Sequence, residues 1–306
     1  MGARVIGIGA ALPERVVTND DLAATMDTSD SWIRERTGIH ERRIGSSTSV
    51  LAIESARAAM EMAGVHSEDI GLLILSTSTP DKCMPATASE VSAELNLTCG
   101  GFDINAACAG FAYGFIVASS MMKSPTGPKR LLLIGADSLS NIIDWTDRST
   151  AILFADGGGA VVLEYTNADT LLGWDCATDG KYASILYCDH GSTVVMEGRE
   201  VFKVAVRAVA DSIATTLEKA DIRASDVDVL LPHQANIRII EAVCKRTGID
   251  FAKSFNVIAH TGNNSSATIP LSMTKAHESG VLLPGSIVVM TGFGAGMTWA
   301  TTVVRW

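Results

Sequence analysis

No two of the six cysteines form a C-x-x-C pair: Cys83, Cys99, Cys108, Cys176, Cys188 and Cys244 are scattered through 306 residues. That spacing argues against a disulfide framework and a zinc site, and a reducing cytoplasmic location is the expectation. Each cysteine is by default a small buried hydrophobe, so a reactive one must be singled out by its surroundings. Positive charge is also scarce, with 24 Lys plus Arg against 34 Asp plus Glu, so nucleic acid is not an expected partner. The opening MGARVIGIGA shows no export-signal pattern, and Ile6 stands where a myristoylation motif wants Ser or Thr. No membrane span is expected, because the uncharged run from Ala106 to Met122 is short and rich in small residues and reads as a buried helix. GIGAAL at Gly7 lacks the third glycine of a dinucleotide fingerprint, which rejects NAD binding, and no His, Cys or carboxylate pair has metal-ligand spacing.

What the chain does have is apolar residues: 47% are hydrophobic, 19% are charged and the mean hydropathy is +0.25, enough to bury a large core. It also has an internal repeat. AGVHSEDIGLLILSTST from Ala63 resembles ADIRASDVDVLLPHQAN from Ala220, which sets Ser76 opposite His233. RLLLIGADS with LFADGGGAVVLEY resembles SIVVMTGFGAGMTWATTVV, and the strands ARVIGIGAALP and DTLLGWDCATDG begin the two copies. Strand and helix signals alternate in each copy, with helices expected near 49–62, 86–95, 109–122, 200–220, 236–247 and 266–278. The reading is an α/β protein of two pseudo-symmetric halves, 1–168 and 169–306, packed as one layered body without a Pro/Ser-rich linker.

Three residues have addresses suited to chemistry. Cys108, in FDINAACAGFAYGF, follows an apolar strand at the start of a helix, where the N-terminal partial charge favours the nucleophilic thiolate. His233, in LLPHQANIRII, lies between a strand end and a helix, and so points into a crevice. His40, His66, His190 and His277 sit among polar neighbours; His260 is ambiguous. Asn263, in AHTGNNSSATIP, lies in a Gly-Asn turn before a helix and reads equally as a turn or capping residue, as does Asn264. TGFGAGMTWA from Thr291 lacks the Lys-Ser/Thr of a phosphate loop and reads as a turn between strands.

In family order, TSDSWIRERTGIHERR, FDINAACAGF, DWTDRSTAILFADGGGAVVL, GREVFKVAV, PHQANIRII, GNNSSATIP and GFGAGMTW resemble β-ketoacyl-acyl-carrier-protein synthase III, a condensing enzyme of thiolase-like fold. The resemblance runs over nearly the whole chain. It implies a decarboxylative Claisen condensation of an acyl-CoA starter with malonyl-acyl-carrier protein, through an acyl-Cys108 intermediate, at the start of fatty acid synthesis. By the same resemblance Cys108, His233 and Asn263 form the catalytic triad, and the backbone N–H groups of Cys108 and Ala295 form an oxyanion hole. Trp32, Arg36, Arg148, Ala235 and Asn236 match CoA-binding positions, Met84 a position that shapes the acyl pocket, and Lys203, Arg238, Lys245 and Arg246 a basic patch for the carrier protein. A homodimer is implied, with acyl-CoA as a substrate and no tightly bound cofactor.

The chain departs from the family in places. GNNSSAT replaces the commoner GNTSAAS, which places Asn264 and Ser266 near the reaction centre; Ala295 stands where many members carry Gly, and Arg199 where some relatives carry Asn near the CoA tunnel. A degradative thiolase would carry a second cysteine in the last Gly-rich loop, and none follows Cys244. A relative in secondary metabolism with a different acceptor is the alternative reading. A papain-like hydrolase lacks its C-G-S-C-W segment here, and a non-catalytic subunit has no need of the triad.

Overall fold

The computed structural model describes residues 2–306. The first sheet contains β1 (Gly2–Ala11), β2 (Leu72–Ser76), β3 (Gly100–Ile104), β4 (Arg130–Ser138) and β5 (Asp156–Thr166), in the order β1-β5-β4-β2-β3. The second contains β6 (Leu171–Thr178), β7 (Val229–Pro232), β8 (Ile287–Gly294) and β9 (Thr298–Arg305), in the order β6-β9-β8-β7. Strand directions match as well: the first two pairings of each sheet are antiparallel and the next is parallel. Where the first sheet continues to β3, the second has a single parallel bridge between Leu230 and Ser254. The two sheets thus repeat one topology in a thiolase-like α/β fold, and the chain crosses between them at 167–170.

Helices occupy α1 (Asp30–Thr37), α2 (Thr48–Ala63), α3 (Thr87–Glu94), α4 (Gly110–Met122), α5 (Gly198–Lys219), α6 (Ile237–Thr247) and α7 (Thr268–Glu278). The strands β2, β4, β7 and β8 are buried on both faces, and their alternation sorts three helix layers. Ile74, Leu131 and Leu133 of the first sheet, with Leu231, Val288 and Met290 of the second, enclose Phe111, Phe115, Ile269 and Met273 of α4 and α7. Leu73, Leu75, Leu132 and Ile134 face outward onto α2 and α3, and Leu230, Val289 and Val303 onto α5 and α6. The uncharged segment read as a buried helix is therefore one of the two central helices. No helix among the described residues is long and apolar enough to cross a membrane.

Glycines set the closest approaches. A Cβ on Gly9 would lie 2.1 Å from the Ser55 carbonyl oxygen, so β1 meets α2 backbone to backbone. At the start of the central layer, a Cβ on Gly110 would lie 1.9 Å from Ser76 Oγ, which keeps a small residue just after Cys108. Helix α3 lacks a side-chain cap of its own, and Asp103 on the neighbouring strand fills the role by accepting from Thr87 N (2.7 Å) and Ala88 N (2.8 Å). Sequence reading did not single out α1, which packs with Trp145 and Leu153 in a separate small cluster through Ile33 and Trp32.

Candidate active site

Three polar turns converge at the end of the central layer. The first follows β3: Ala107, with φ +47°, leads into a single 3-10 turn, Ala107–Ala109, that carries Cys108 directly into α4. The second follows β7, where His233 N–H donates to the Thr291 carbonyl (2.7 Å) and the ring meets Phe293 edge-on at 5.4 Å. The third precedes α7 and carries Asn263, tied on both sides to the 153–155 segment by Asn263 N–H to Leu153 O and Ala155 N–H to Asn263 O, each 2.9 Å. Cys108, His233 and Asn263 line one cavity of about 110 Å³, together with Phe293, Gly294 and the predicted positions Ala235 and Asn236.

His233 is the one buried histidine of the six, at 3% exposure. Burial pushes it down to about 3, against a smaller opposing effect of the Ser265 backbone, so the ring is a neutral hydrogen-bond donor at working pH. Its Nδ1 has no protein partner. Cys108 corrects an expectation. The helix start argued for a thiolate, yet burial pushes the thiol up to about 12, against the Ser265 side chain and with a further upward contribution from Asp137. The resting nucleophile is a thiol that the surrounding dipoles stabilise only once charge develops. Asn263 accepts the Ser265 N–H on Oδ1 (3.0 Å), which fixes the amide and leaves Nδ2, its donor end, for the cavity. Asn264 instead turns away and donates to Asp156 O (2.7 Å) and Thr261 O (3.1 Å).

A second cavity, of about 200 Å³, reaches Cys108 from the other side and is lined by Leu139, Ile142, Leu186, Val194, Ser265 and Ala295. The last Gly-rich segment is a strand-to-strand turn, and it closes on the nucleophile. A Cβ on Gly294 would lie 2.5 Å from Cys108 N, and one on Gly292 2.9 Å from Ala109 Cα. Only this lack of side chains lets Ala295 share the Cys108 cavity.

Trp32 and Arg36 lie on α1, which packs against α6 where Gly38, at φ +78°, meets Ile237. The Arg36 and Arg148 guanidinium carbons stand 4.6 and 4.7 Å from the Trp32 ring centroid, so the three predicted residues form one stack. Met84 is not with them. At 82% exposure it lines neither cavity that contains Cys108. Of the basic residues on α5 and α6, Lys203 is paired with Glu200 (2.7 Å) and Arg246 with Asp211 (3.0 Å), Arg238 lies over Phe202, and Lys245 is exposed.

Four residues that matter here were not singled out from the sequence. Gln234 is fully buried and uses all its capacity, donating to Phe255 O and Ser272 Oγ and accepting from Val257 N and Ile258 N, which fixes the segment after His233. Phe293 forms the wall against His233. Ser265, at φ +50°, contacts all three members of the triad. Asp137, fully buried, braces the same turn. Their signal is tertiary; only the unusual run of polar residues at 263–266 hinted at it.

Two family models match the chain. 3-Oxoacyl-[acyl-carrier-protein (ACP)] synthase III covers residues 102–180, and its C-terminal counterpart covers 217–306. Beta-ketoacyl-[acyl-carrier-protein] synthase III of Geobacillus kaustophilus is 45% identical over 312 residues, covering 100% of this chain and 99% of the relative. Beta-ketoacyl-[acyl-carrier-protein] synthase III 1 of Bacillus anthracis is 43% identical over 311 residues, with the same coverage. The crystal structure of 3-oxoacyl-[acyl-carrier-protein] synthase III from Aquifex aeolicus VF5 superposes with a TM-score of 0.97 at 40% identity, covering 100% of both chains.

Proposed function

The chain belongs to the 3-oxoacyl-acyl-carrier-protein synthase III family of condensing enzymes, and from that premise we propose that it joins an acyl-CoA starter to malonyl-acyl-carrier protein through an acyl thioester on Cys108. The observation that supports this most is the single cavity lined by one thiol, one neutral imidazole and one oriented amide. Cys108 sulfur attacks the acyl-CoA carbonyl, the bond to the CoA sulfur breaks, and the proton that leaves Cys108 ends on the CoA thiol. One thioester replaces another, so the acyl group is kept activated. The backbone N–H groups of Cys108 and Ala295 stabilise the oxyanion of this step.

In the second step the malonyl C–C bond to the carboxylate breaks and carbon dioxide leaves. The electron pair moves into an enolate whose oxygen accepts from His233 and Asn263 Nδ2. A neutral imidazole suits this task, because it donates a hydrogen bond without giving up its proton to the enolate. The carbanion attacks the acyl-Cys108 carbonyl, the C–S bond breaks, and the Cys108 sulfur takes a proton from solvent as 3-oxoacyl-acyl-carrier protein departs. Trp32, Arg36 and Arg148 hold the nucleotide end of CoA by stacking and charge, Ala235 and Asn236 its pantetheine arm, and Lys203, Arg238, Lys245 and Arg246 receive the acidic carrier. A cytoplasmic homodimer fits the edge strand β3 and the exposed Met84, both of which a second copy would cover and through which Met84 would shape an acyl pocket.

The test is to measure the two half-reactions separately. His233→Ala and Asn263→Ala are each expected to slow condensation roughly 100- to 1,000-fold, the usual effect of losing one oxyanion donor, while transfer from acyl-CoA to Cys108 changes far less. Equal loss in both half-reactions contradicts this division of roles.

A further inference from the structure

We propose that Asp137 is a positioning residue for condensation: with Ser266 it holds the Asn263–Ser266 turn in place, and it sets a buried negative charge beside Cys108. Asp137 lies on β4, in the half that carries Cys108, and Ser266 comes from the half that carries His233 and Asn263. Every polar contact on the carboxyl group is a donor. Thr77 Oγ1 (3.1 Å), Ser78 N (2.7 Å) and Thr79 Oγ1 (3.1 Å) donate to Oδ1, and Ser266 N (3.0 Å) and Ser266 Oγ (2.7 Å) donate to Oδ2. Burial pushes Asp137 above the usual carboxylate range and the five donors oppose that effect by stabilising the carboxylate; among the described residues no cation pairs with it.

The turn it braces needs bracing. Ser265 is held in the left-handed region, at φ +50°, a conformation that a serine keeps only when its surroundings impose it. Ser265 N–H orients Asn263, its carbonyl faces the His233 ring, and its hydroxyl lies beside both the Cys108 thiol and the Asp137 carboxyl without a well-formed bond to either. Ser266 Oγ has a second acceptor in the Ser76 carbonyl (2.9 Å), so one hydroxyl links β2, β4 and the turn. The negative charge acts on the thiol directly: Asp137 adds to the effect of burial in holding Cys108 protonated. Cys108 is the titratable group facing Asp137; its other neighbours are hydroxyl and amide donors. The Ser266 hydroxyl is one of the features that separate GNNSSAT from GNTSAAS, which has Ala there.

A purely structural residue would affect every property of the site in one direction, and this assignment does not. In Asp137→Asn the charge is gone and Oδ2 no longer receives two donors. Iodoacetamide labelling of Cys108, followed by peptide mass spectrometry across pH 6 to 10, is expected to shift to lower pH and to run at least about threefold faster at pH 8. Condensation is expected to fall about tenfold or more. A labelling profile that superposes on wild type, or that slows together with condensation, overturns the proposal. If a melting curve shows Asp137→Asn to be unfolded, Ser266→Ala carries the test: condensation two- to fivefold slower with labelling within twofold supports it, and unchanged condensation overturns it. The proposal rests on Cys108 as the nucleophile. Failure of that reading is distinguishable, because wild-type protein would then take no acyl adduct from acyl-CoA, whereas failure of the Asp137 proposal leaves the adduct intact.

Discussion

Cys108 and His233 are both held in neutral forms by burial, and their effects on stability run in opposite directions along the pH axis. The unfolded chain takes up a proton on His233 below about 6.5, whereas the folded chain waits until about 3, so stability is lost as pH falls below 6.5. Folded Cys108 keeps its proton to about 12 and unfolded Cys108 only to about 9, so stability is lost again as pH rises above 9. Thermal melts from pH 4 to 10.5 are expected to show a plateau between these limits, with the alkaline loss reduced in Cys108→Ala; an unchanged alkaline limb in that variant would contradict the assignment. The addresses of Cys108 and His233 were legible because each follows a strand and precedes a helix in the sequence, and that of Asn263 because it lies in a Gly-Asn turn before a helix. Their protonation states were not, since the thiol's environment is set by Asp137, Ser265 and the last Gly-rich turn, all remote in the chain. Asp137 looks like any acidic residue ending a strand until Ser266 of the other half is placed against it.

At the level of elements, the six expected helices are all present, within two residues at either end. Their apolar spacing and glycine stops are local signals and survive without tertiary context. Helix α1 escaped notice because its packing partners, Trp145 and Leu153, come from far along the chain. Glycine positions carry a sharper consequence. Gly9→Ala would drive a methyl group into the Ser55 carbonyl, 2.1 Å away, and the backbone of α2 cannot yield cheaply. We expect a loss of about 1–3 kcal/mol, read as a lower denaturant midpoint at constant slope. Gly180→Ala, whose added methyl group meets nothing within 4 Å, is the matched control and should change stability by less than about 0.5 kcal/mol. Equal effects in the two variants would show that the α2–β1 contact is looser than described.

For the whole molecule, the duplicated topology explains why the site lies where it does. Equivalent loops of the two halves meet at the end of the central helix layer, one bringing Cys108 and Asp137 and the other His233, Asn263 and Ser266. The repeat was visible in the sequence as paired segments, in which Ser76 of the first copy holds the position that His233 takes in the second. Met84 stands at the surface, apart from the cavity it was expected to shape. The central claim is that Cys108 carries the acyl group. Intact-protein mass spectrometry after mixing with a panel of acyl-CoAs tests it most directly, comparing wild type with Cys108→Ala. One acyl adduct per wild-type chain, ranked by starter length, is expected, and none in the variant. An adduct that persists in Cys108→Ala, or no adduct from any acyl-CoA, would contradict it.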